Sequence, residues 1–168
     1  MTQFKKICNI MSYLTVIVLS IFAIISLKFP IQENYQDDKL DSLVKDIKKV
    51  FSMRKGVDDK DTEILKELSL DKVINNNALT FDGHDESYTI NKKKVHICMK
   101  DENDKYYEDD MLMYVLLHEL AHCKCKSIGH TPEFHEILDK IYEVARKTGL
   151  LDPNFTPNPS YCTHNKKL

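Results

Sequence analysis

Two histidines and a glutamate stand at a spacing that suits metal-assisted hydrolysis. His118, Glu119 and His122 belong to the sequence His-Glu-Leu-Ala-His. On an α-helix, at about 100° per residue, the two histidines lie within about 40° of each other, so their imidazoles can bind one metal ion. Glu119 projects about 60° from His122 on the same side, where it can act as general base toward a metal-bound water. The sequence therefore predicts two metal ligands and a catalytic base on one helix.

Zinc is the metal that this arrangement favours, and it requires a third ligand. Catalytic zinc sites use three protein ligands and keep a fourth position for water, whose pKa falls from about 15.7 to about 7 on binding. His130 is the predicted third ligand, because Gly129 allows a sharp turn there. Thr131 is a good helix cap and Pro132 suits a first helical position, so His130 would lie at a rigid turn before a packed helix.

Other polar residues near the motif are weaker candidates for ligands. Three rivals for the third position lie on the helix after His130, at places that the apolar pattern makes exposed or half-exposed: Glu133, His135 and Glu136. The remaining histidines have no partner at ligand spacing and are interpreted as ordinary polar or surface residues: His84, His96 and His164.

Two helices are predicted to hold the candidate ligands. Residues 111–122 are apolar almost all round, which is typical of a central, buried helix. A second helix is predicted from Pro132, with apolar residues at three- and four-residue steps, and Gly149 is expected to end it. Both histidines of the motif would then project from a helix that the core holds in place.

Upstream of these helices the pattern predicts two more helices and a hairpin. Residues 35–53 form an amphipathic stripe, and a short helix is expected over residues 62–68 with Asp61 as its cap. Residues 88–90 and 95–99 are predicted to be two strands joined by a polar turn. We further expect the strand over residues 95–99 to lie at a sheet edge, where an extended substrate could pair with it.

An uncharged apolar run occupies the amino-terminal region. It covers residues 7–27, which is 21 residues or about 31 Å of helix at about 1.5 Å per residue, enough to span a bilayer. We expect a signal anchor; a cleaved signal peptide is the alternative, although its apolar region is usually only about 7 to 15 residues. Lys5 and Lys6 precede the run and only Lys28 follows closely, which favours a cytoplasmic tail.

Composition excludes several classes of protein. The chain has 168 residues with 30% charged and 42% hydrophobic residues, too apolar for a disordered chain. Glycine and proline number four and five, which favours long helices over a turn-rich sandwich. Residues 1–29 hold three lysines and no acid, so the rest carries a net charge of −5, from 21 basic against 26 acidic residues. Nucleic acid is therefore not an expected partner.

The sequence HELAH followed by GHTPEF resembles the zinc metallopeptidases of the SprT-like and WLM group, which pair HExxH with a later histidine in a G-H-x-x-x-F setting. The resemblance is closest to small metallopeptidases encoded by large DNA viruses, which share the order strand, Tyr-rich acidic link, YVLLHELAH helix and Tyr-Cys. It covers residues 88–162. It implies that His118, His122 and His130 bind zinc and that Glu119 is the base, while the substrate is not carried over.

Together these patterns predict an α+β fold: a mostly helical, zincin-like domain with a small β-sheet packed near the active-site helix, preceded by one transmembrane helix. The predicted boundaries are a tail over 1–6, a transmembrane helix over 7–27, a linker with amphipathic helices over 28–87 and the metallopeptidase core over 88–168. The expected function is a membrane-anchored zinc (Zn2+) metallopeptidase that hydrolyses protein or peptide substrates through a zinc-bound water. It would be a single-pass protein of a viral or host membrane.

Four cysteines leave a second function open. Cys98, Cys123, Cys125 and Cys162 allow three disulfide pairings, a structural zinc site or plain buried thiols. Cys123 and Cys125 are too close to bridge each other comfortably, so Cys98 or Cys162 is the expected partner. The alternative function is a non-catalytic, membrane-anchored interaction module stabilised by structural zinc or disulfides, in which Cys123 or Cys125 completes the metal site.

Overall fold

The computed structural model describes residues 37–52 and 59–163. The helices and strands of these ranges belong to one unit, Tyr35–Leu168, and combine five helices with a small three-stranded sheet. In chain order the elements are α1 (Asp38–Phe51), α2 (Asp59–Leu68), α3 (Leu70–Ile74), β1 (Thr80–His84), β2 (Tyr88–Ile90), β3 (Lys94–Cys98), α4 (Asp109–Lys124) and α5 (Pro132–Lys147).

The predicted fold class and localisation need correction. Among the described helices, none is both long enough and apolar enough to cross a bilayer. The longest, α4 and α5, have 16 residues each, whereas a membrane-spanning helix needs about 20. A fold preceded by a transmembrane helix and a single-pass membrane localisation are therefore not supported. The segment predicted to span the membrane, residues 7–27, lies outside the described residues.

The amphipathic helix predicted over residues 35–53 is present as α1, although residues 35, 36 and 53 lie outside the described ranges. Asp37 caps it, because its carboxylate accepts hydrogen bonds from the backbone N–H groups of Lys39 (3.0 Å) and Leu40 (3.1 Å). The apolar stripe faces the core through six buried residues: Leu40, Leu43, Val44, Ile47, Val50 and Phe51.

Asp61 does not cap the second helix, contrary to the prediction. Helix α2 begins two residues earlier, at Asp59, so Asp61 lies within its first turn. Its side chain is buried at 1% exposure, and Oδ1 accepts a hydrogen bond from Nζ of Lys147 at 2.6 Å. Asp61 therefore ties α2 to the end of α5, because a buried carboxylate needs a partner of opposite charge.

The predicted hairpin is confirmed. Strand β2 pairs antiparallel with β3, with Thr89 opposite Val95. The connecting turn has positive φ at both central residues, 50° at Asn91 and 57° at Lys92, and the N–H of Lys93 donates to the carbonyl of Ile90 at 3.0 Å. Positive φ at both positions matches the turn geometry that suits the twist of a two-stranded ribbon.

Strand β1 was not predicted from the sequence, and it changes the position of β3. It pairs parallel with β3, so the strand order is β1-β3-β2 and β3 is central. The prediction that residues 95–99 form an edge open to a substrate is therefore wrong, and β2 is the edge strand on that side. The segment Thr-Phe-Asp-Gly-His of β1 has one large apolar residue, too few for an alternating pattern.

Helix α4 is buried in the core, as predicted for a central helix, and the predicted second helix is present as α5, which packs against α4. Nine residues of α4 are buried, and Val95 and Ile97 of β3 are fully buried in the same core. Thr131 caps α5, because its hydroxyl accepts from the N–H of Phe134 at 3.3 Å. At the other end Gly149 has a φ of 71°, which favours glycine and allows the chain to leave the helix.

One disulfide is present in the described part of the chain, and it is not the expected one. Cys98, at the end of β3, is bonded to Cys162 with a Cα–Cα distance of 6.1 Å. Cys123 and Cys125 carry no disulfide. The prediction that one of them pairs with Cys98 or Cys162 is wrong, because those two cysteines are bonded to each other. The thiol of Cys125 is instead buried beside the hydroxyl of Ser127, at 3.2 Å.

Candidate metal centre

Three imidazoles converge at the end of α4. His118 and His122 project from that helix, and His130 projects from the loop that leads into α5. Their ring centroids form a nearly equilateral triangle, with separations of 5.1 Å, 5.1 Å and 5.0 Å. One ring nitrogen from each histidine lies within 4.8 Å of the other two, and Nε2 of His118 is 3.0 Å from Nε2 of His130. The structure thus brings together the three residues predicted as ligands.

The donor set fits zinc. Zinc binds imidazole nitrogen at about 2.0 to 2.1 Å, so two nitrogens of a tetrahedral site stand about 3.4 Å apart. The 3.0 Å between Nε2 of His118 and Nε2 of His130 is close to that value, and all three ring nitrogens lie within 4.8 Å of one another. Burial is the main reason that the pKa of His118 falls to about 4, and the positive charge that neighbouring imidazoles can carry contributes to the same fall. Burial also lowers the pKa of His122. A lowered pKa favours the neutral form of both rings, which is the form that binds a metal.

One buried aromatic ring packs against all three histidines. Phe134 is fully buried, and its ring stacks on that of His122 with centroids 4.3 Å apart. The same ring lies 5.0 Å from His118 and 4.8 Å from His130. Because Phe134 belongs to the apolar stripe of α5, packing of the two helices also sets the orientation of the histidines.

Glu119 lies beside the histidines without joining them as a ligand. Its side chain is only 5% exposed, and Oε2 accepts a hydrogen bond from Oγ1 of Thr89 at 2.7 Å. Burial raises the pKa of Glu119, and the hydrogen bond from Thr89 opposes that rise. Thr89 stands on the edge strand β2, so the sheet orients the carboxylate that the helix carries.

The loop that carries His130 is fastened by a lysine on one side. Nζ of Lys92, from the turn between β2 and β3, donates hydrogen bonds to three successive carbonyl oxygens: those of Cys125, of Lys126 at 2.6 Å and of Ser127 at 3.3 Å. A positive charge at the carboxyl end of a helix also interacts favourably with the unpaired carbonyls there. Lys92 therefore links the hairpin to the loop that positions His130.

Glu133 fastens the same loop from the other side. Its carboxylate accepts hydrogen bonds from the N–H groups of Lys126 and Ser127, both at 3.1 Å, and from the hydroxyl of Ser127 at 2.5 Å. These hydrogen bonds lower the pKa of Glu133 to about 2, and the bond from the Ser127 hydroxyl has the largest effect. Glu133 was a rival for the third ligand, and its oxygens are instead used to hold the loop.

The other rival ligands lie outside the histidine group. His135 is exposed, with its ring 6.3 Å from that of His130. Glu136 is exposed and pairs with Lys140 at 2.9 Å. Of the histidines interpreted as ordinary polar residues, His96 is half-buried and stacks on Tyr88 with centroids 4.6 Å apart. His84 is exposed beside the same two rings, and His164 lies outside the described residues.

The histidines and Glu119 open into a cleft of about 700 Å³, which we call the histidine cleft. Its other walls come from residues 87–89, from Asn91 and Lys92, and from residues 127–129. Sequence reasoning identified the imidazoles and the carboxylate but missed Thr89 and Lys92. No local sequence pattern identifies these two residues, because each side chain hydrogen-bonds to a segment 30 or more residues away.

The chain is similar to proteins of large DNA viruses. Over 79 residues it is 44% identical to the uncharacterized protein 042R of Invertebrate iridescent virus 3, covering 46% of this chain and 50% of that protein. Over 79 residues it is 38% identical to the uncharacterized protein 136R of Invertebrate iridescent virus 6, covering 45% and 44%. Over 66 residues it is 38% identical to the uncharacterized protein R325 of Acanthamoeba polyphaga mimivirus, covering 38% and 34%.

These similarities extend to half or less of each relative, and none of the three names carries an activity. No family model matches the chain. No solved structure matches it either. The resemblance to SprT-like and WLM peptidases therefore rests on the motif residues alone.

Proposed function

We propose that this protein is a zinc-dependent metallopeptidase in which Glu119 is the general base. One observation carries the proposal: three imidazoles converge within 4.8 Å beside a buried carboxylate that lines the same cleft. A structural zinc site has no need of a carboxylate between its ligands, whereas a hydrolytic site needs both an open coordination position and a base. The viral relatives are compatible with this proposal but do not supply it.

Each residue of the histidine cleft has a distinct role in the proposed reaction. His118, His122 and His130 would hold the zinc ion. When bound, zinc would lower the pKa of a water to about 7 and polarise a peptide carbonyl. Glu119 accepts the proton of the water that attacks the carbonyl carbon, and it then donates this proton to the leaving amine as the C–N bond breaks. Thr89 holds one carboxylate oxygen of Glu119, so the other remains available for the proton.

The edge strand suggests how a peptide would approach. In the described part of the chain β2 pairs with β3 on one side, and its residues Tyr88 and Thr89 line the histidine cleft. An extended peptide can add to such an edge through backbone hydrogen bonds. The proposed substrate is therefore an extended or unfolded stretch of polypeptide.

The alternative function is a non-catalytic module stabilised by structural zinc or disulfides. The Cys98–Cys162 disulfide is compatible with either function, whereas a purely structural zinc has less support. A structural zinc site here requires a thiolate of Cys123 or Cys125 to complete the coordination of the metal. Among the described residues, the one group of potential ligands within metal-binding distance contains the three histidines and neither thiol. Cys125 is instead buried, with Sγ 3.2 Å from the hydroxyl of Ser127.

Zinc content and hydrolysis of dye-labelled casein test the proposal together. We expect about one zinc per chain by metal mass spectrometry and release of dye-labelled peptides from this unfolded substrate. Removal of the metal with 1,10-phenanthroline should abolish the release, and added zinc should restore it. A chain that binds no zinc, or hydrolysis that continues after zinc is removed, contradicts the proposal.

Replacing Thr89 by valine should slow hydrolysis without releasing zinc. Valine has nearly the shape of threonine but cannot donate the 2.7 Å hydrogen bond to Glu119. Because a hydrogen bond to a charged group contributes roughly 1.5 to 3 kcal/mol, we expect kcat for casein peptides to fall about 10-fold or more. Thr89→Ser keeps the hydroxyl and is the matched control. Equal rates for Thr89→Val and the unaltered protein would exclude a positioning role.

A further inference from the structure

A second cavity adjoins the histidine cleft and is not used by the proposed mechanism. It has a volume of about 560 Å³ and shares Ser87, His118 and Glu119 with the cleft. It extends along the amino-terminal half of α4, past Val115 to Met111, toward the carboxy-terminal segment. We call it the tyrosine cavity, after Tyr114 and Tyr161 in its wall.

We propose that the tyrosine cavity binds a large apolar or aromatic side chain of the substrate, next to the peptide bond that is cleaved. This inference rests on the proposed function and names the class of peptide that the site would prefer. His118 and Glu119 line both cavities. A peptide whose carbonyl lies at Glu119 therefore has its neighbouring side chain at the mouth of the tyrosine cavity.

The chemistry of the wall selects apolar groups. Five of the residues that line it are apolar or aromatic: Met111, Tyr114, Val115, Pro157 and Tyr161. The charged side chains in the wall are both acidic, Glu86 and Glu119, and no lysine or arginine is among them. A substrate carboxylate would be repelled there. A lysine side chain would be attracted by the two carboxylates of the wall, but Glu86 is exposed to solvent, which weakens the attraction. The lysine would also lose hydration against the apolar wall, at a cost that an apolar side chain avoids.

The wall contributed by the carboxy-terminal segment is held in place. The hydroxyl of Tyr161 donates to the carbonyl of Cys98 at 2.7 Å and lies 2.9 Å from the hydroxyl of Ser87. The next residue, Cys162, is bonded to Cys98, and its N–H donates to the hydroxyl of Tyr107 at 3.0 Å. A cavity formed before the ligand arrives avoids the entropy cost of ordering its walls.

Matched peptides test the preference directly. Each peptide has glycine and alanine throughout except at one position, which is phenylalanine, leucine, alanine, lysine or glutamate, and mass spectrometry locates the cut. We expect kcat/KM for the phenylalanine and leucine peptides to exceed that of the other three by at least about 10-fold, with the cut beside the variable residue. Equal kcat/KM across the five peptides overturns the inference while leaving the peptidase in place.

A variant that fills the cavity should remove the preference. Val115→Phe places a ring where the substrate side chain would lie, so the ratio of kcat/KM for the phenylalanine and alanine peptides should fall to about 1. Val73→Phe makes the same change on α3, outside the cavity, and should leave the ratio as it was. An unchanged ratio in Val115→Phe overturns the assignment of this cavity.

A binding measurement separates this inference from the proposed function. In methyl NMR spectra of the zinc-loaded chain, N-acetylphenylalanine amide should shift the signals of Met111 and Val115, and N-acetylalanine amide should not. These shifts without hydrolysis of any peptide would retain the apolar site and refute the peptidase. Hydrolysis of casein without these shifts would retain the peptidase and refute the apolar site.

Discussion

Replacing Glu119 by glutamine is expected to lower the rate of casein hydrolysis by about 100- to 10,000-fold, the usual contribution of a general base. Glutamine keeps the size of the side chain and can still contact Oγ1 of Thr89, which lies 2.7 Å from Oε2. It cannot accept a proton from water at neutral pH. Since Glu119 lies outside the histidine group, zinc should remain at about one per chain in the variant. Loss of activity with retained zinc would separate the peptidase from a structural zinc module.

The matched control for this prediction is Glu136→Gln. Glu136 is an exposed carboxylate on α5 whose partner is Lys140 at 2.9 Å, and an exposed pair of this kind contributes at most about 1 kcal/mol to stability. We expect Glu136→Gln to hydrolyse casein at the rate of the unaltered protein. A Glu119→Gln variant that keeps full activity would show that the carboxylate is not the base.

Replacing His118 or His130 by alanine is expected to weaken zinc binding by more than about 100-fold, because loss of an outer-shell partner alone can cost 10- to 100-fold. Each substitution removes one of three imidazoles whose ring nitrogens lie within 4.8 Å of one another. Competition with a zinc-binding dye measures the affinity, and circular dichroism checks that the helices are retained. Casein hydrolysis should fall with the zinc content.

Two sets of variants control the ligand assignment. His135→Ala removes an imidazole 6.3 Å from that of His130, and it should leave zinc affinity unchanged. Replacing Cys123 and Cys125 by serine should also leave it unchanged, because neither thiol belongs to the histidine group. Loss of zinc from the cysteine variant would contradict the histidine ligand set. Zinc binding that survives His130→Ala but is lost in His135→Ala would contradict the assignment of His130.

Four of the five described helices and the hairpin were accessible from sequence because their patterns are local, whereas the short helix α3 was not predicted. The stripe of α1, the apolar surface of α4 and the Thr131 cap of α5 each depend on residues within a few turns of helix. Local reasoning failed where a partner lies far along the chain. Asp61 has the residue type of a helix cap, yet its partner is Lys147 of α5. Cys98 bonds Cys162 across 64 residues, a choice that cysteine spacing leaves open.

The candidate site also combines features that local patterns predict with features that depend on distant parts of the chain. The sequence by itself determined that His118 and His122 share a helix face with Glu119 close by, because helical periodicity acts over four residues. It also indicated His130 from the turn and cap that follow. Only the tertiary structure decided that β3 is central and β2 is the edge, that Thr89 holds Glu119, and that Lys92 fastens the loop of His130. These contacts form when the core brings distant segments together, and no local pattern records them.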